Sequence, residues 1–173
     1  GKRLFDTKDG LQIIDDAYYV GGEGKDVILL ADPSRNASPM LRSTFNVTDS
    51  TVKKARLYAS ARGIYDVYVN GERLDNDYFN PGLTQYNKTH LYQTFDVTHL
   101  IENGANAIGA ILSEGWWSGG ATYMGEFWNF FGDRQSFLCQ LIITYADGSE
   151  EIVISDPEKW KYYSDGPVCY GSF

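Results

Sequence analysis

Alternation of apolar and polar residues, with a period of two, runs through most of the chain after Met40 and constrains its fold more than any other feature. The clearest case is KARLYASAR, whose alternate positions are Ala55, Leu57, Ala59 and Ala61. Successive side chains of a strand point to opposite faces, so this pattern predicts a strand with one buried face. The same reasoning predicts further strands at residues 27–31, 41–47, 91–97, 106–113, 136–145, 150–155 and 160–164.

Turn residues separate the predicted strands. Asn70 and Gly71, in YDVYVNGERL, suit the positive φ of a two-residue hairpin turn. One helical turn is predicted in DVTHLIENGAN, with Thr98 as its N-cap. Short strands without any sustained helical period predict an all-β fold, an antiparallel β-sandwich of the jelly-roll type. Residues 1–37 are predicted to be an N-terminal arm with short strands, and residues 38–173 the sandwich.

The net charge of −8, from 23 acidic and 15 basic residues, bears on possible partners. Nucleic acids and anionic membranes are bound through basic surfaces, so neither is expected as a partner. No apolar run reaches the ~20 residues of a membrane span. The two cysteines, Cys139 and Cys169, are too few for a zinc site or a disulfide framework. We expect two buried thiols, with a single Cys139–Cys169 bridge as the alternative.

Two long connections, residues 74–89 and 114–135, interrupt the regular spacing of strands. Their aromatic content is typical of ordered surfaces rather than of disordered segments. In the second connection Trp116 and Trp117 are adjacent, so a strand would turn only one of them inward. We expect one indole to anchor the core and the other to form an exposed platform with Tyr123, Phe127 and Trp128. The alternative is that the whole cluster folds into a local minicore.

Oxygen ligands are concentrated in the first connection, in LDNDYFN. Asp75, Asn76 and Asn80 offer the hard donors that calcium prefers, although an Asp- and Asn-rich turn has the same composition. If the fold brings both connections to one edge, these oxygens and the rings of the second connection would satisfy the hydroxyls and the apolar face of a pyranose. The predicted carbohydrate-binding residues are Asp75, Asn76, Trp116, Trp117, Trp128 and Asn129.

Longer motifs resemble a known family. The runs ARGIYDVYVNG, PGLTQY and YQTFDVTHLIENGANAIGAILSEGWWSG, in that order, resemble the N-terminal β-sandwich domain of bacterial α-L-rhamnosidases, glycoside hydrolase family 78. The resemblance covers about residues 38–165. It implies a galactose-binding-like jelly roll ahead of a much larger catalytic (α/α)6 barrel, which is absent here and is the expected partner within the parent chain. It also implies that the sandwich is truncated at its C-terminal end.

The resemblance bears on ligands too. Some rhamnosidases contain a related sandwich that binds L-rhamnose through a calcium ion, and Asp75, Asn76 and Asn129 resemble the matching positions. L-Rhamnose or a rhamnoside is therefore an expected ligand, with calcium as a cofactor of that site and no cofactor otherwise required. The parent is expected in the periplasm or outside the cell if it acts on polysaccharide, and in the cytoplasm if it does not.

Three hypotheses for function follow from these features. The first is an accessory domain that packs on the catalytic barrel and helps shape its cleft. The second is a calcium-dependent L-rhamnose-binding module, and the third is a generic protein-interaction sandwich. Catalysis by this chain itself is not expected. Glycoside hydrolysis needs two carboxyl groups about 5–10 Å apart across a sugar cleft, and the acidic residues of both connections fit a solvated surface.

Overall fold

The computed structural model describes residues 37–48, 51–119 and 129–169, together with the backbone of three short strands between residues 11 and 31. In chain order the strands are β1 (Leu11–Ile14), β2 (Ala17–Val20), β3 (Leu29–Ala31), β4 (Met40–Val47), β5 (Val52–Arg62), β6 (Ile64–Val69), β7 (Glu72–Arg73), β8 (Gln93–Asp96), β9 (Gly104–Ser113), β10 (Ser136–Tyr145), β11 (Glu150–Ile154) and β12 (Lys161–Tyr163). In the described part of the chain, no helix is long and apolar enough to cross a membrane.

The strands β4–β12 form two antiparallel sheets that pack as a β-sandwich. One sheet has the strand order β11-β10-β5-β8, and the other has the order β12-β4-β9-β6-β7. The strands β1–β3 form a small antiparallel sheet of their own. Two long loops leave the sandwich: the first loop, residues 74–92, joins β7 to β8, and the second loop, residues 114–135, joins β9 to β10.

Alternate residues of the strands fill the space between the two sheets. Leu57 on β5, Ile108 on β9, and Leu141 and Ile143 on β10 are all 0% exposed. Full burial of such a side chain stabilises the fold by about 1.5–3 kcal/mol relative to an exposed position. The period-two pattern therefore produces the core between the two sheets. The two loops project from the edges of these packed sheets.

The predicted all-β fold and antiparallel β-sandwich are confirmed. Every strand predicted from alternation is present, and its ends lie within two residues of the expected ones. The predicted hairpin turn is also present, since Asn70 and Gly71 have φ of +50° and +87° between the paired residues Val69 and Glu72. The jelly-roll connectivity and the boundary after residue 37 stay predictions.

The predicted helical turn is present but is capped differently. A 3-10 turn spans Thr98–Leu100, and Thr98 is its first residue rather than its N-cap. The Thr98 hydroxyl accepts a hydrogen bond from the Ala55 amide at 2.9 Å, which fastens the turn to β5. The Oδ1 atom of the Asp96 side chain accepts a hydrogen bond from the backbone amide of Thr98 at 3.1 Å. The predicted cap is therefore wrong, because the threonine hydroxyl makes a contact between the turn and β5 instead.

Both cysteines are thiols, so the alternative of a Cys139–Cys169 bridge is wrong. Cys139 is buried on the inner face of β10, and burial raises the pKa of its thiol to about 12. Cys169 is exposed, which corrects the expectation that both thiols are buried. The difference arises because Cys169 follows the last strand of the sandwich, where it forms an isolated bridge with Ala37.

Candidate functional site

The two loops meet at one edge of the sandwich. The ring centroids of Phe79, in the first loop, and Trp116, in the second, lie 6.0 Å apart. A second contact joins Tyr86 of the first loop to Trp117 of the second, with 5.5 Å between centroids. The described residues therefore meet the condition for a shared site, that both loops lie at the same edge.

Four rings, those of Tyr86, His90, Trp117 and Phe131, form what we call the inner cluster. Tyr86 lies at its centre, with ring centroids 5.1 Å from Phe131 and 5.7 Å from His90. Its ring is nearly perpendicular to that of Trp117, at 86°. Such edge-to-face pairs add about 0.5–1.5 kcal/mol to the effect of burial. Tyr86 is 3% exposed, and burial raises the pKa of its hydroxyl. The inner cluster is thus a second, smaller core.

Trp117 is held in the inner cluster from several sides. Its Nε1 donates a hydrogen bond to the carbonyl oxygen of Arg134 at 2.9 Å. The Arg62 guanidinium carbon lies 5.0 Å from the centre of its ring, within the range of a cation–π contact. Gly132 packs so closely on the indole that an added Cβ would overlap its ring atoms. Together these contacts fix one orientation of the indole.

The prediction that one indole anchors the sandwich core is wrong. Trp116 and Trp117 are both half-buried, and in the described part of the chain neither belongs to the core between the sheets. The reason is that β9 ends at Ser113, and Gly115, with φ of +56°, turns the chain before the pair. Strand alternation therefore does not apply to the two residues. The minicore alternative describes Trp117, but Trp116 lies apart from it.

Trp116 and Phe79 form an outer pair, whose ring planes meet at 63°. Phe79 is 62% exposed and has φ of +65°, a backbone conformation that residues other than glycine rarely adopt. Tyr78 is 75% exposed, with the Arg73 guanidinium carbon 5.1 Å from its ring centre. Exposed rings on a constrained backbone are typical of binding surfaces, because the fold itself gains little from them.

Asp75 organises the start of the first loop. Its Oδ1 accepts a hydrogen bond from the Asp77 amide at 3.1 Å, and its Oδ2 accepts one from Asn80 Nδ2 at 3.0 Å. Asn76 is exposed. Among the described residues, no group of three or more His, Cys, Asp or Glu side chains is placed to hold a metal. This geometry fits an Asp- and Asn-rich turn, since both oxygens of Asp75 accept hydrogen bonds from within the turn. Calcium binding by Asp75, Asn76 and Asn80 stays a prediction.

The first loop is tied to the sandwich by residues of the core. The Tyr65 amide donates to the carbonyl oxygen of Asn80 at 2.8 Å. The Tyr65 hydroxyl, whose pKa is raised chiefly by burial, donates to Gln93 Oε1 at 2.7 Å. Gln93 Nε2 in turn donates to the carbonyl oxygen of Pro81 at 3.1 Å. The position of the exposed rings is therefore set by buried hydrogen bonds rather than by the loop alone.

Asn129 closes the base of the second loop. Its amide donates to the carbonyl oxygen of Gly119 at 2.8 Å, and its Oδ1 accepts a hydrogen bond from the Gly119 amide at 2.6 Å. Its φ of +53° is one that asparagine tolerates better than most residues. The side-chain oxygen expected to contact a sugar is therefore used by the fold. Trp128, Tyr123 and Phe127 lie outside the described residues.

Glu114 lies under the second loop. Its carboxylate packs against Gly119, where an added Cβ would overlap it. Burial raises the pKa of this carboxyl. Its backbone oxygen also accepts a hydrogen bond from the Trp117 amide at 3.2 Å. Glu114 is thus a structural acid of the loop rather than a solvated one.

Sequence reasoning did not assign Phe79, Tyr86 or Phe131 to the site. All three are aromatic residues of the two loops, and Tyr86 ends the motif PGLTQY. Aromatic residues in loops of this length were the available signal, but loops carry no period that separates buried rings from exposed ones.

Comparison with known proteins agrees with this architecture. Residues 50–173 match the model of the α-L-rhamnosidase N-terminal domain. The chain belongs to this family. It is 42% identical over 130 residues to an α-L-rhamnosidase of Formosa agariphila and 40% identical over 136 residues to one of Streptomyces avermitilis. These matches cover 74% and 79% of the chain.

The α-L-rhamnosidase relatives are much longer than this chain, which spans 14% of the Formosa protein and 13% of the Streptomyces protein. A solved structure of the Streptomyces avermitilis α-L-rhamnosidase, complexed with L-rhamnose, has a TM-score of 0.75 and 36% identity. That match covers 89% of this chain and 14% of the other. The chain therefore corresponds to the N-terminal domain of these longer α-L-rhamnosidases.

Proposed function

We propose that this domain is a non-catalytic part of its parent α-L-rhamnosidase, which packs against the catalytic barrel and helps to shape its cleft. The observation that carries the proposal is the outer pair, in which the exposed ring of Phe79 and the half-buried ring of Trp116 meet at one edge, each supplied by a different loop. Rings placed on a rigid scaffold are suited to contact a substrate or a neighbouring domain. In the parent, the outer pair would extend the wall of the cleft beyond the bound rhamnose.

Two acidic residues of the described loops, Asp75 and Glu114, support a non-catalytic role. Both oxygens of Asp75 accept hydrogen bonds within the first loop. Glu114 packs against Gly119, and burial raises the pKa of its carboxyl. A retaining or inverting glycosidase needs two carboxyl groups that face each other across a sugar. Each of these two acids instead serves its own loop.

The test compares the isolated domain with the full-length parent. The domain should give no turnover of an aryl α-L-rhamnoside. In the parent, Phe79→Ala combined with Trp116→Ala should raise KM for a large rhamnoside several-fold while leaving kcat on the aryl substrate nearly unchanged. The matched control is Tyr163→Ala, an exposed ring on β12. Turnover by the pure domain would contradict the non-catalytic role, and an unchanged KM for the large substrate would contradict the role in the cleft.

A second candidate is an L-rhamnose-binding module of its own. The observation in its favour is that oxygen-rich residues of the first loop, Asp75 and Asn76, belong to the same loop as the exposed ring of Phe79. A pyranose needs directional partners for its hydroxyls and an apolar surface for its C–H face. Calcium, in this candidate, would bind Asp75, Asn76 and Asn80 and orient the sugar hydroxyls.

Titration of the domain with L-rhamnose, with and without calcium, tests this candidate. Saturable binding that requires calcium would support it. Asn76→Ala is the cleaner variant, because Asn76 is exposed while Asp75 holds the loop through two hydrogen bonds. Binding that survives both Asn76→Ala and Asp75→Asn would place the sugar elsewhere. No binding under either condition would leave the accessory role alone.

A further inference from the structure

The outer face of the sheet β11-β10-β5-β8 carries an unusual number of apolar side chains. Leu138 is 67% exposed, Tyr92 66%, Ile154 56% and Ile152 54%. The outer face of an antiparallel sandwich sheet is normally polar, because it is in contact with water. Large exposed apolar patches on a soluble protein mark surfaces that another molecule covers.

The register of the sheet places these side chains together. Ile152 lies opposite Ile142, and Ile154 lies opposite Gln140, which lies opposite Tyr58 on the next strand. Tyr92 continues the row, with its ring centroid 6.3 Å from that of Tyr58. We call this surface the apolar strip: Tyr58, Tyr92, Leu138, Ile142, Ile152 and Ile154. An open groove of about 590 Å³ lies over the part of the strip formed by Tyr58, Tyr92, Leu138 and Ile154.

The strip is confined to one end of the sheet. Arg56, directly opposite Ile142, borders the strip, and the outward positions beyond it are occupied by Lys54, Thr144 and Glu150, which are polar or charged. The opposite sheet has exposed rings at Tyr162 and Tyr163 on β12, but the outer positions of its strand β4 are Arg42, Thr44 and Asn46. The strip is therefore a patch with a charged border at one end.

A sugar fits the groove poorly. The Ser60 hydroxyl donates to the carbonyl oxygen of Leu91 at 2.7 Å, and the Ser155 hydroxyl accepts from the Cys139 amide at 3.1 Å. Each of these two serine hydroxyls thus already makes a hydrogen bond to the backbone, and the other polar side chains of the lining are those of Tyr58, His90, Tyr92 and Gln140. The rings of Tyr58 and Tyr92 are tilted by 51°, so they do not form one flat stacking surface. Branched aliphatic side chains favour a protein surface, which removes them from water without supplying partners for hydroxyls.

We propose that the apolar strip is the surface on which this domain docks against the rest of its parent α-L-rhamnosidase chain. The occupant follows from the length of chain involved, since the segment matched in this chain makes up only 13–14% of the relatives' length. A covalently linked neighbour is present at high effective concentration, so a modest apolar patch suffices to hold it. The inference rests on the proposed accessory role and adds to it the face that makes the contact.

Thiol footprinting of the full-length parent tests the strip directly. Ile154→Cys, in a Cys169→Ser background, places a thiol at a position that is 56% exposed in this domain. Its rate of maleimide labelling is measured on the peptide that contains residue 154, in the parent and in the 173-residue chain. We expect labelling to be about tenfold slower or more in the parent. The matched control is Tyr163→Cys, at a position that is 54% exposed on the opposite sheet, and it should label at similar rates in both.

Each outcome of this experiment decides something. Equal labelling of Ile154→Cys in both proteins would overturn the proposal. Protection of Tyr163→Cys alone would overturn it as well, and would place the docking surface on the other sheet. Protection of Ile154→Cys in the isolated chain that grows with protein concentration would assign the strip to a second copy instead. None of these results depends on KM or turnover, so failure of the docking surface and failure of the proposed function are distinguishable.

Discussion

Trp116 and Trp117 are neighbours in sequence, yet they lie in two different surroundings. Trp117 packs with Tyr86, Phe131 and His90 in the inner cluster, and its Nε1 is hydrogen-bonded. The described ring contact of Trp116 is with Phe79, which is itself 62% exposed. The inner cluster closes the two loops on each other, whereas the outer pair is presented to solvent. One indole therefore serves stability, and the other is available for binding.

This contrast explains how an exposed aromatic surface can be rigid. A loop that carried only outward rings would have little to hold it, because ordering each residue costs about 1–2 kcal/mol of backbone entropy. The inner cluster supplies apolar burial directly beside the outer pair, and the hydrogen bonds from Tyr65 and Gln93 fix the first loop from below. The structural half of the edge and its proposed binding half are thus adjacent, and substitutions should separate them.

The largest expected effect is on Trp117. Trp117→Ala removes the ring that contacts every other member of the inner cluster, and a half-buried tryptophan of this kind should contribute about 3 kcal/mol to the free energy of unfolding. Urea unfolding of the 173-residue chain measures the loss. A loss below about 0.5 kcal/mol, the range of ordinary surface substitutions, would show that the inner cluster is not a second core.

A second variant checks that the loss arises from the packing of the indole. In Gly132→Ala, the new methyl group would overlap the Trp117 ring, and overpacking of this kind costs about 1–3 kcal/mol. In the Trp117→Ala background the same substitution should cost almost nothing, because the ring is gone. Additive losses in the double variant would contradict the direct contact, since coupled neighbours are expected to be non-additive.

The next largest loss of stability is expected for substitution of Asn129. Asn129→Ala removes the acceptor of the Gly119 amide and leaves an alanine at φ of +53°, so we expect a loss of about 1–2 kcal/mol. Asn129→Asp retains an acceptor and serves as the matched variant, with a smaller loss. If Asn129→Ala instead leaves stability unchanged and weakens rhamnose binding, the residue contacts sugar as the sequence suggested.

For Glu114 we expect a smaller effect of the opposite sign, because its substitution should raise the free energy of unfolding at pH 7. Burial raises the pKa of its carboxyl in the folded state, so the folded state holds a proton that the unfolded state releases. The contribution of this group to stability therefore falls as pH rises from its ordinary value of 4.5 through the raised pKa. Glu114→Gln should remove this fall and be the more stable form at pH 7, but not at pH 4. Glu72→Gln, at an exposed position of β7, is the matched control for the loss of one carboxylate charge.

The strands were predictable because burial between two sheets imposes a period of two on the sequence. Leu57 and Leu141, which face each other across paired strands, lie in segments whose alternation is complete. The hairpin turn was predictable for a different reason, since Asn70 and Gly71 are residue types that accept positive φ. Both signals come from residues that are close together in the sequence, so a single sequence is enough to recognise them.

The loops were not predictable in the same detail. Their residues are buried by contacts between distant segments, such as Tyr86 with Trp117, and no period marks those pairs. Asn129 was assigned to sugar binding on its residue type, but the same side chain serves equally well as an acceptor for a backbone amide. The composition of the two loops identified the edge of the sandwich that carries the candidate site. The fold was needed to divide the residues of that edge into structural and exposed ones.

The smallest effect on stability is expected for Trp116, which is the decisive test of the contrast. Trp116→Ala deletes a half-buried ring whose described ring contact is the exposed Phe79, so the free energy of unfolding should change by less than about 1 kcal/mol. Its effect on ligands should be large by comparison: in the full-length parent, the affinity for a large rhamnoside should fall several-fold. Phe79→Ala should reproduce this pattern, because both rings form one surface, while Trp117→Ala should lower affinity only where it unfolds the loops. If Trp116→Ala destabilises the chain as much as Trp117→Ala, both indoles are structural, and the edge has no separate binding half.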